Sequence, residues 1–226
     1  MKSIRLNDLD TIVSDGQSDI AIVVLHGYGA DYKDFVPFSD YVMKGIKPKW
    51  YFINGVLPTT MSGHETGRCW FPIDMMGLNQ AMTTGTFDKF FQSKVPEGLE
   101  DASSKIIQII EELRASHDKI YLGGFSQGSM ISADVAFQRP DLVDKLFLLS
   151  STMLYPKRWE EFLDREMSFP IFQSHGVMDP VLPISCARQL KSLLENFDHD
   201  PKYFEFNGAH EVPLNIVNEL DLFLRD

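Results

Sequence analysis

At 226 residues, with 44% hydrophobic and 23% charged residues, the chain has the proportions of an ordinary globular protein and can bury a sizeable core without disulfides or metals. Its 21 basic and 32 acidic residues give a formal net charge of −11. That balance excludes the basic surface a nucleic-acid partner needs and disfavours a stable polybasic membrane anchor.

Short apolar, β-branched runs alternate with helical patterns along the chain. The run at 20–25, Ile-Ala-Ile-Val-Val-Leu, is continuous, as expected of a strand covered on both faces. Segments 50–53, 119–122, 146–149 and 170–173 read the same way, and 203–206 reads as a further, peripheral strand. Leu99, Ala102, Ile106, Ile109, Ile110 and Leu113 fall at three- and four-residue steps and give one helix an apolar stripe. Further helices are expected over 129–138, ending before Arg139-Pro140, over 185–195 and over 214–224. This alternation implies one α/β domain spanning 1–226, with a mostly parallel central sheet and helices on both faces. Ligands in such an architecture bind at the carboxyl ends of the strands.

Segment 54–96 breaks the rhythm and shows no clear element. It holds Trp70, Phe71, Phe87, Phe90 and Phe91 with Met61, Met75, Met76 and Met82, too apolar for a disordered linker. It is expected to fold over something, and its apolar content is compatible with a homodimer. The opening residues, Met1 to Asp8, turn acidic before an apolar run develops, so no signal peptide is read and a cytoplasmic location follows by elimination. Cys69 and Cys186 are too few for a disulfide framework and are expected as reduced thiols.

The strongest chemical signal is Gly124-Phe125-Ser126-Gln127-Gly128, set between an expected strand and an expected helix. A G-x-S-x-G turn there strains the serine backbone and projects its hydroxyl from the sheet. A serine hydroxyl needs a base. His210, after the last strand and before the last helix, is the best candidate among six histidines. His117 and His199 lie in polar, surface-like segments; His64 reads as a bystander; His26 and His175 read as partners of local backbone. The acid must lie between Ser126 and His210 along the chain. Asp179, after the strand at 170–173, fits; Asp141, Asp144 and Asp164 are rivals by order only, and Asp134 lies inside the expected helix after the elbow. An oxyanion hole needs two donors: the backbone N–H of Gln127, and one from the glycine-containing loop His26-Gly27-Tyr28-Gly29-Ala30, with Tyr28 preferred.

Leu25-His26-Gly27-Tyr28-Gly29-Ala30-Asp31, Gly123-Gly124-Phe125-Ser126-Gln127-Gly128, His175-Gly176-Val177-Met178-Asp179-Pro180-Val181 and Gly208-Ala209-His210-Glu211-Val212 together resemble the small carboxylesterase, lysophospholipase and acyl-protein thioesterase family. The resemblance implies an α/β-hydrolase fold without a cap domain, no cofactor and no metal. It implies the same triad, Ser126, Asp179 and His210, and the same oxyanion donors, Tyr28 and Gln127. It implies small-molecule or lipid ester or thioester substrates with short to medium acyl chains, and a substrate groove lined by Trp70 and Phe71. A carboxylesterase is the expectation, with an acyl-protein thioesterase or lysophospholipase as alternatives. A catalytically silent binding module is the non-enzymatic alternative, which the complete triad argues against.

Overall fold

The computed structural model describes residues 1–61, 64–164 and 167–226; the side chain of His64 lies outside the described set. Its central sheet has eight strands: β1 (Lys2–Leu6), β2 (Leu9–Val13), β3 (Ile20–Leu25), β4 (Lys49–Ile53), β7 (Lys119–Phe125), β8 (Lys145–Leu149), β9 (Ile171–Gly176) and β10 (Lys202–Phe206). They run in the order β1-β2-β4-β3-β7-β8-β9-β10. The pairs β1–β2 and β2–β4 are antiparallel and the rest parallel.

The continuous apolar run of β3 follows from its central position. Ala21, Val23 and Leu25 enter one core, while Ile22 and Val24 enter the other. Helix α3 (Leu99–Arg114) buries its expected stripe on the first face, with α4 (Gln127–Gln138), α5 (Pro156–Leu163) and α6 (Ile184–Asn196). Helix α7 (Leu214–Arg225) covers the second face through Ile216, Leu220 and Phe223. Each such side chain removed from water contributes roughly 1.5–3 kcal/mol before the entropy of ordering is subtracted. The buried Lys145 ammonium donates to Phe223 O at 2.8 Å and Leu224 O at 3.2 Å, where the carbonyl end of α7 favours a cation.

Two regions differ from the sequence expectation. The first thirteen residues form the β1–β2 hairpin, turned by Asn7 and Asp8 at φ 42° and 63°. Segment 54–96 is not a long loop. It holds a second hairpin, β5 (Leu57–Met61) with β6 (His64–Cys69), and two helices, α1 (Met75–Thr84) and α2 (Phe87–Gln92). Helix α1 is capped by Asp74, whose carboxylate accepts from Gly77 N–H at 3.0 Å, and ends at Gly85 with φ 68°. The inserted helices pack into the first core through Leu78, Phe87 and Phe91.

Candidate active site

Ser126 sits between β7 and α4 at φ 53°, ψ −120°, a conformation costing on the order of 1–3 kcal/mol for a residue with a side chain. Its N–H donates to Leu149 O at 2.9 Å, which ties the turn to β8. The flanking glycines are steric necessities. A Cβ at Gly124 would stand 2.5 Å from Leu25 O, and one at Gly128 would stand 2.1 Å from it. The backbones of β3, β7 and α4 therefore touch, and the serine is lifted to the carboxyl end of the sheet.

The loops after β9 and β10 run side by side. Val177 N–H donates to Phe206 O at 2.9 Å and Met178 N–H to Gly208 O at 3.0 Å. This brings His210 Nδ1 to 2.6 Å from Asp179 Oδ2. The other oxygen, Oδ1, accepts from Val181 N–H and Leu182 N–H, both at 2.8 Å. Burial pushes the Asp179 carboxyl up, but the His210, Leu182 and Val181 hydrogen bonds outweigh it and hold the group below its ordinary 3.8. The carboxylate is charged at neutral pH. The His210 ring lies 4.6 Å from the ring of Phe125, the residue before Ser126. Ser126 Oγ and His210 share no hydrogen bond among the described residues. Such contacts often tighten only when substrate binds.

His175, fully buried, adds a contact absent from the sequence reading. Its Nε2 lies 2.8 Å from Leu182 O and 3.3 Å from Asp179 Oδ2. Burial holds its imidazole below 6.5, so Nε2–H is a donor on a neutral ring.

The loop after β3 carries the expected second donor. The N–H groups of Tyr28 and Gln127 engage no acceptor among the described residues. The loop is pinned by Gly29 N–H to Arg68 O and by Arg68 N–H to Ala30 O, both at 2.8 Å. Gly67 lets β6 come this close, since a Cβ there would stand 1.9 Å from Gly29 O. Arg68 also donates to Gly55 O at 3.0 Å and Val56 O at 3.2 Å. Sequence reasoning missed Arg68 because its role comes from backbone contacts with two loops distant in sequence.

The expected groove residues divide. Trp70 is wholly buried and lines none of the described cavities. Its N–H donates to Gln127 Oε1 at 2.9 Å, and its indole N–H to His26 O at 2.8 Å. Gln127 Nε2 in turn donates to Phe71 O at 2.7 Å. Trp70 is thus part of the clamp joining 70–71 to the elbow. Phe71 lines a cavity of about 490 Å³ with Pro72, Ile73, Phe90, Phe91 and Pro96, and with Asp74, Lys94 and Glu97 among its polar residues.

His117 is buried rather than solvated, held by Tyr51 OH at 3.4 Å and Leu113 O at 3.0 Å. His199 is half-buried, and burial keeps its imidazole below 6.5. The rival acids serve elsewhere. Asp134 receives Arg158, Trp159 and Ser103; Asp141 pairs with Arg139; Asp144 pairs with Arg114. Among the described residues no group of three or more His, Cys, Asp or Glu side chains is disposed to hold a metal, and no helix is long and apolar enough to cross a membrane.

A model of the phospholipase/carboxylesterase family matches residues 7–226. The chain is similar to an acyl-protein thioesterase 1 of Eremothecium gossypii, 34% identical over 218 residues that cover 91% of this chain and 86% of that one. Among solved structures, esterase PE8 superposes with a TM-score of 0.79 at 20% identity, covering 96% of this chain and 98% of that chain. Acyl-protein thioesterase 2 of Zea mays superposes with a TM-score of 0.72 at 16% identity, covering 95% of this chain and 97% of that chain. At such identities the structural likenesses speak for the fold, which is that of the α/β-hydrolases.

Proposed function

We propose that this chain, which belongs to the phospholipase/carboxylesterase family, hydrolyses carboxylic esters and thioesters of short to medium acyl chain through an acyl-enzyme on Ser126. The observation that carries the reading is the 2.6 Å hydrogen bond between Asp179 and His210, held by interlocked loops at the end of the sheet where the elbow presents Ser126.

His210 donates Nδ1–H to Asp179, which leaves a lone pair on Nε2. That lone pair takes the Ser126 proton as Oγ bonds to the acyl carbon and the carbonyl electrons move onto oxygen. The oxyanion is met by the N–H groups of Tyr28 and Gln127. Each such donor is worth about 10²–10³ in kcat in hydrolases of this type. Collapse expels the alkoxide or thiolate, which takes the proton from His210 Nε2. Water then gives its proton to His210 and attacks the acyl-enzyme. Release of the acid returns the proton to Oγ. Asp179 stays ionised throughout and stabilises the imidazolium.

The Gln127 side chain is committed to residues 70 and 71, so only its backbone N–H is available to the oxyanion. Exposed apolar side chains on the triad and oxyanion loops, Tyr28, Met178 and Val181, with Leu214 just beyond, favour a substrate bearing an apolar acyl group. Within this range thioesters are favoured, since the Eremothecium gossypii relative is an acyl-protein thioesterase 1.

A chain-length series of acyl oxyesters with matched thioesters tests this reading. Turnover of both is expected. Ser126→Ala is expected to lower kcat/KM by on the order of 10⁴-fold or more. Retained turnover by Ser126→Ala contradicts the reading.

A further inference from the structure

His26 ends the loop side of β3, is wholly buried, and has no part in the triad. Both of its ring nitrogens are engaged. Nε2 lies 2.9 Å from the amide nitrogen of Gly55, whose N–H can only donate, so Nε2 carries a lone pair. Nδ1 therefore carries the proton of the neutral ring and donates it to Gly27 O at 2.7 Å. Burial keeps the ring neutral by holding it below 6.5, against the opposing pull of Asp31 and Asp34. The Trp70 indole N–H bonds to His26 O at 2.8 Å, and the two rings pack at 5.4 Å, so the imidazole is anchored on both sides.

The Gly27 carbonyl and the Tyr28 N–H belong to one peptide unit. No cis peptide occurs among the described residues, so the two groups point in opposite directions. Whatever fixes the carbonyl fixes the N–H. This unit joins Gly27 to Tyr28, and on its Gly27 side the backbone resists rotation least. The carbonyl has two donors, the imidazole at 2.7 Å and Ala30 N–H at 3.3 Å. The unit also lies against the elbow: a Cβ at Gly27 would stand 3.2 Å from the Phe125 ring and 3.4 Å from Ser126 Cβ.

We infer that His26 is a positioning residue of the oxyanion hole, its Nδ1–H holding the Gly27 carbonyl so that the Tyr28 N–H stays turned to the charge created by attack of Ser126. The inference rests on the reading of Ser126 as nucleophile and of Tyr28 N–H as an oxyanion donor.

Two amide variants separate the two ring nitrogens. In His26→Asn the side-chain N–H₂ takes the place of Nδ1–H and can donate to Gly27 O. In His26→Gln the longer side chain reaches Gly55 N–H and leaves Gly27 O without its donor. His26→Gln is expected to lose about 10²-fold in kcat, with KM little changed and the same fold loss in affinity for an alkyl boronic acid, which mimics the tetrahedral oxyanion. His26→Asn is expected to recover most of both. Undiminished kcat in His26→Gln, or losses in both variants that follow their thermal stability, overturns the inference. So does a kcat loss without loss of boronic-acid affinity. On the unaltered protein, ¹⁵N-histidine NMR is expected to find His26 as the Nδ1–H tautomer; the Nε2–H tautomer overturns the inference whatever the variants do. Ser126→Ala run alongside separates the two levels. If it keeps turnover, the reading of Ser126 has failed. If it is inactive while His26→Gln binds the boronic acid normally, only the role of His26 has failed.

Discussion

His175 Nε2 stands 3.3 Å from Asp179 Oδ2, the same oxygen that accepts from His210 Nδ1 at 2.6 Å. Two imidazoles therefore face one carboxylate oxygen, and their charges would repel if both were protonated. Burial settles the matter for His175, which stays neutral in the folded protein. No ionisation of His175 is accordingly expected in the acid limb of log(kcat/KM) against pH, which should not steepen beyond a unit slope. A slope of two would mean that His175 takes up a proton as well.

Asp179 offers a second test of the same contact. Its carboxylate stays ionised well into the acid range, so its loss is not a matter of pH but of tautomer and charge. Asp179→Asn is expected to lower kcat by about 10⁴-fold at neutral pH, with the fold retained by circular dichroism. A loss of less than tenfold would remove Asp179 from the mechanism.

Stability should also follow pH in a definite direction. His26, His175 and His199 are all held below the ordinary 6.5 by burial. Above 6.5 these rings are neutral in both folded and unfolded chains. Below it the unfolded chain takes up protons that the folded chain refuses, so stability falls until the folded values are reached. Each proton contributes at most about 1.4 kcal/mol per pH unit. The depressed carboxylates, such as Asp141 and Glu205, are held below 3.8 and 4.5 by Arg139 and Arg188 and act in a lower window. Thermal melts are expected to show Tm dropping from pH 7 to pH 5. A Tm that is flat or rises over that range contradicts the buried, neutral state of these rings.

The Gln127 side chain bonds Trp70 N–H and Phe71 O in the interior. Gln127→Leu leaves both backbone groups buried without a partner, at a cost of about 1–3 kcal/mol each. Urea denaturation is expected to show that loss, and kcat to fall because the elbow and the 70–71 segment separate. An unchanged midpoint would mean that water or a rearranged backbone replaces the clamp.

Ile73 lines the 490 Å³ cavity beside Phe71. If this cavity takes the acyl tail, Ile73→Trp is expected to shorten the longest chain accepted while leaving kcat/KM for an acetyl ester within about threefold. Equal effects at every chain length would assign the tail to another surface.

The parts of the fold legible in the sequence are those whose signal is local or periodic. The stripe from Leu99 to Leu113 and the continuous run of β3 reflect burial on one face and on two, and both survive as expected. The elbow was legible because its glycines are dictated by backbone contact at Leu25. The β5–β6 hairpin was not, since Pro58 and Gly67 obscure the alternation and β6 is held by contacts with Gly29 and Ala30. Helix α1 did carry a start at Asp74 and a stop at Gly85, but only Leu78 and Ala81 are buried, too few for a clear stripe. His117 looked solvated because its partner Tyr51 lies on a strand distant in sequence. Trp70 looked like groove lining because an aromatic residue beside a site does not reveal which way it faces.

The most direct test of the central claim is covalent. A fluorophosphonate probe reacts only with an activated serine, and intact-protein mass spectrometry counts the adducts. One adduct per chain is expected, mapped to the peptide bearing Ser126, lost in Ser126→Ala and strongly slowed in His210→Ala. An unlabelled native chain, or labelling that persists in Ser126→Ala, would contradict the assignment of Ser126 as the nucleophile.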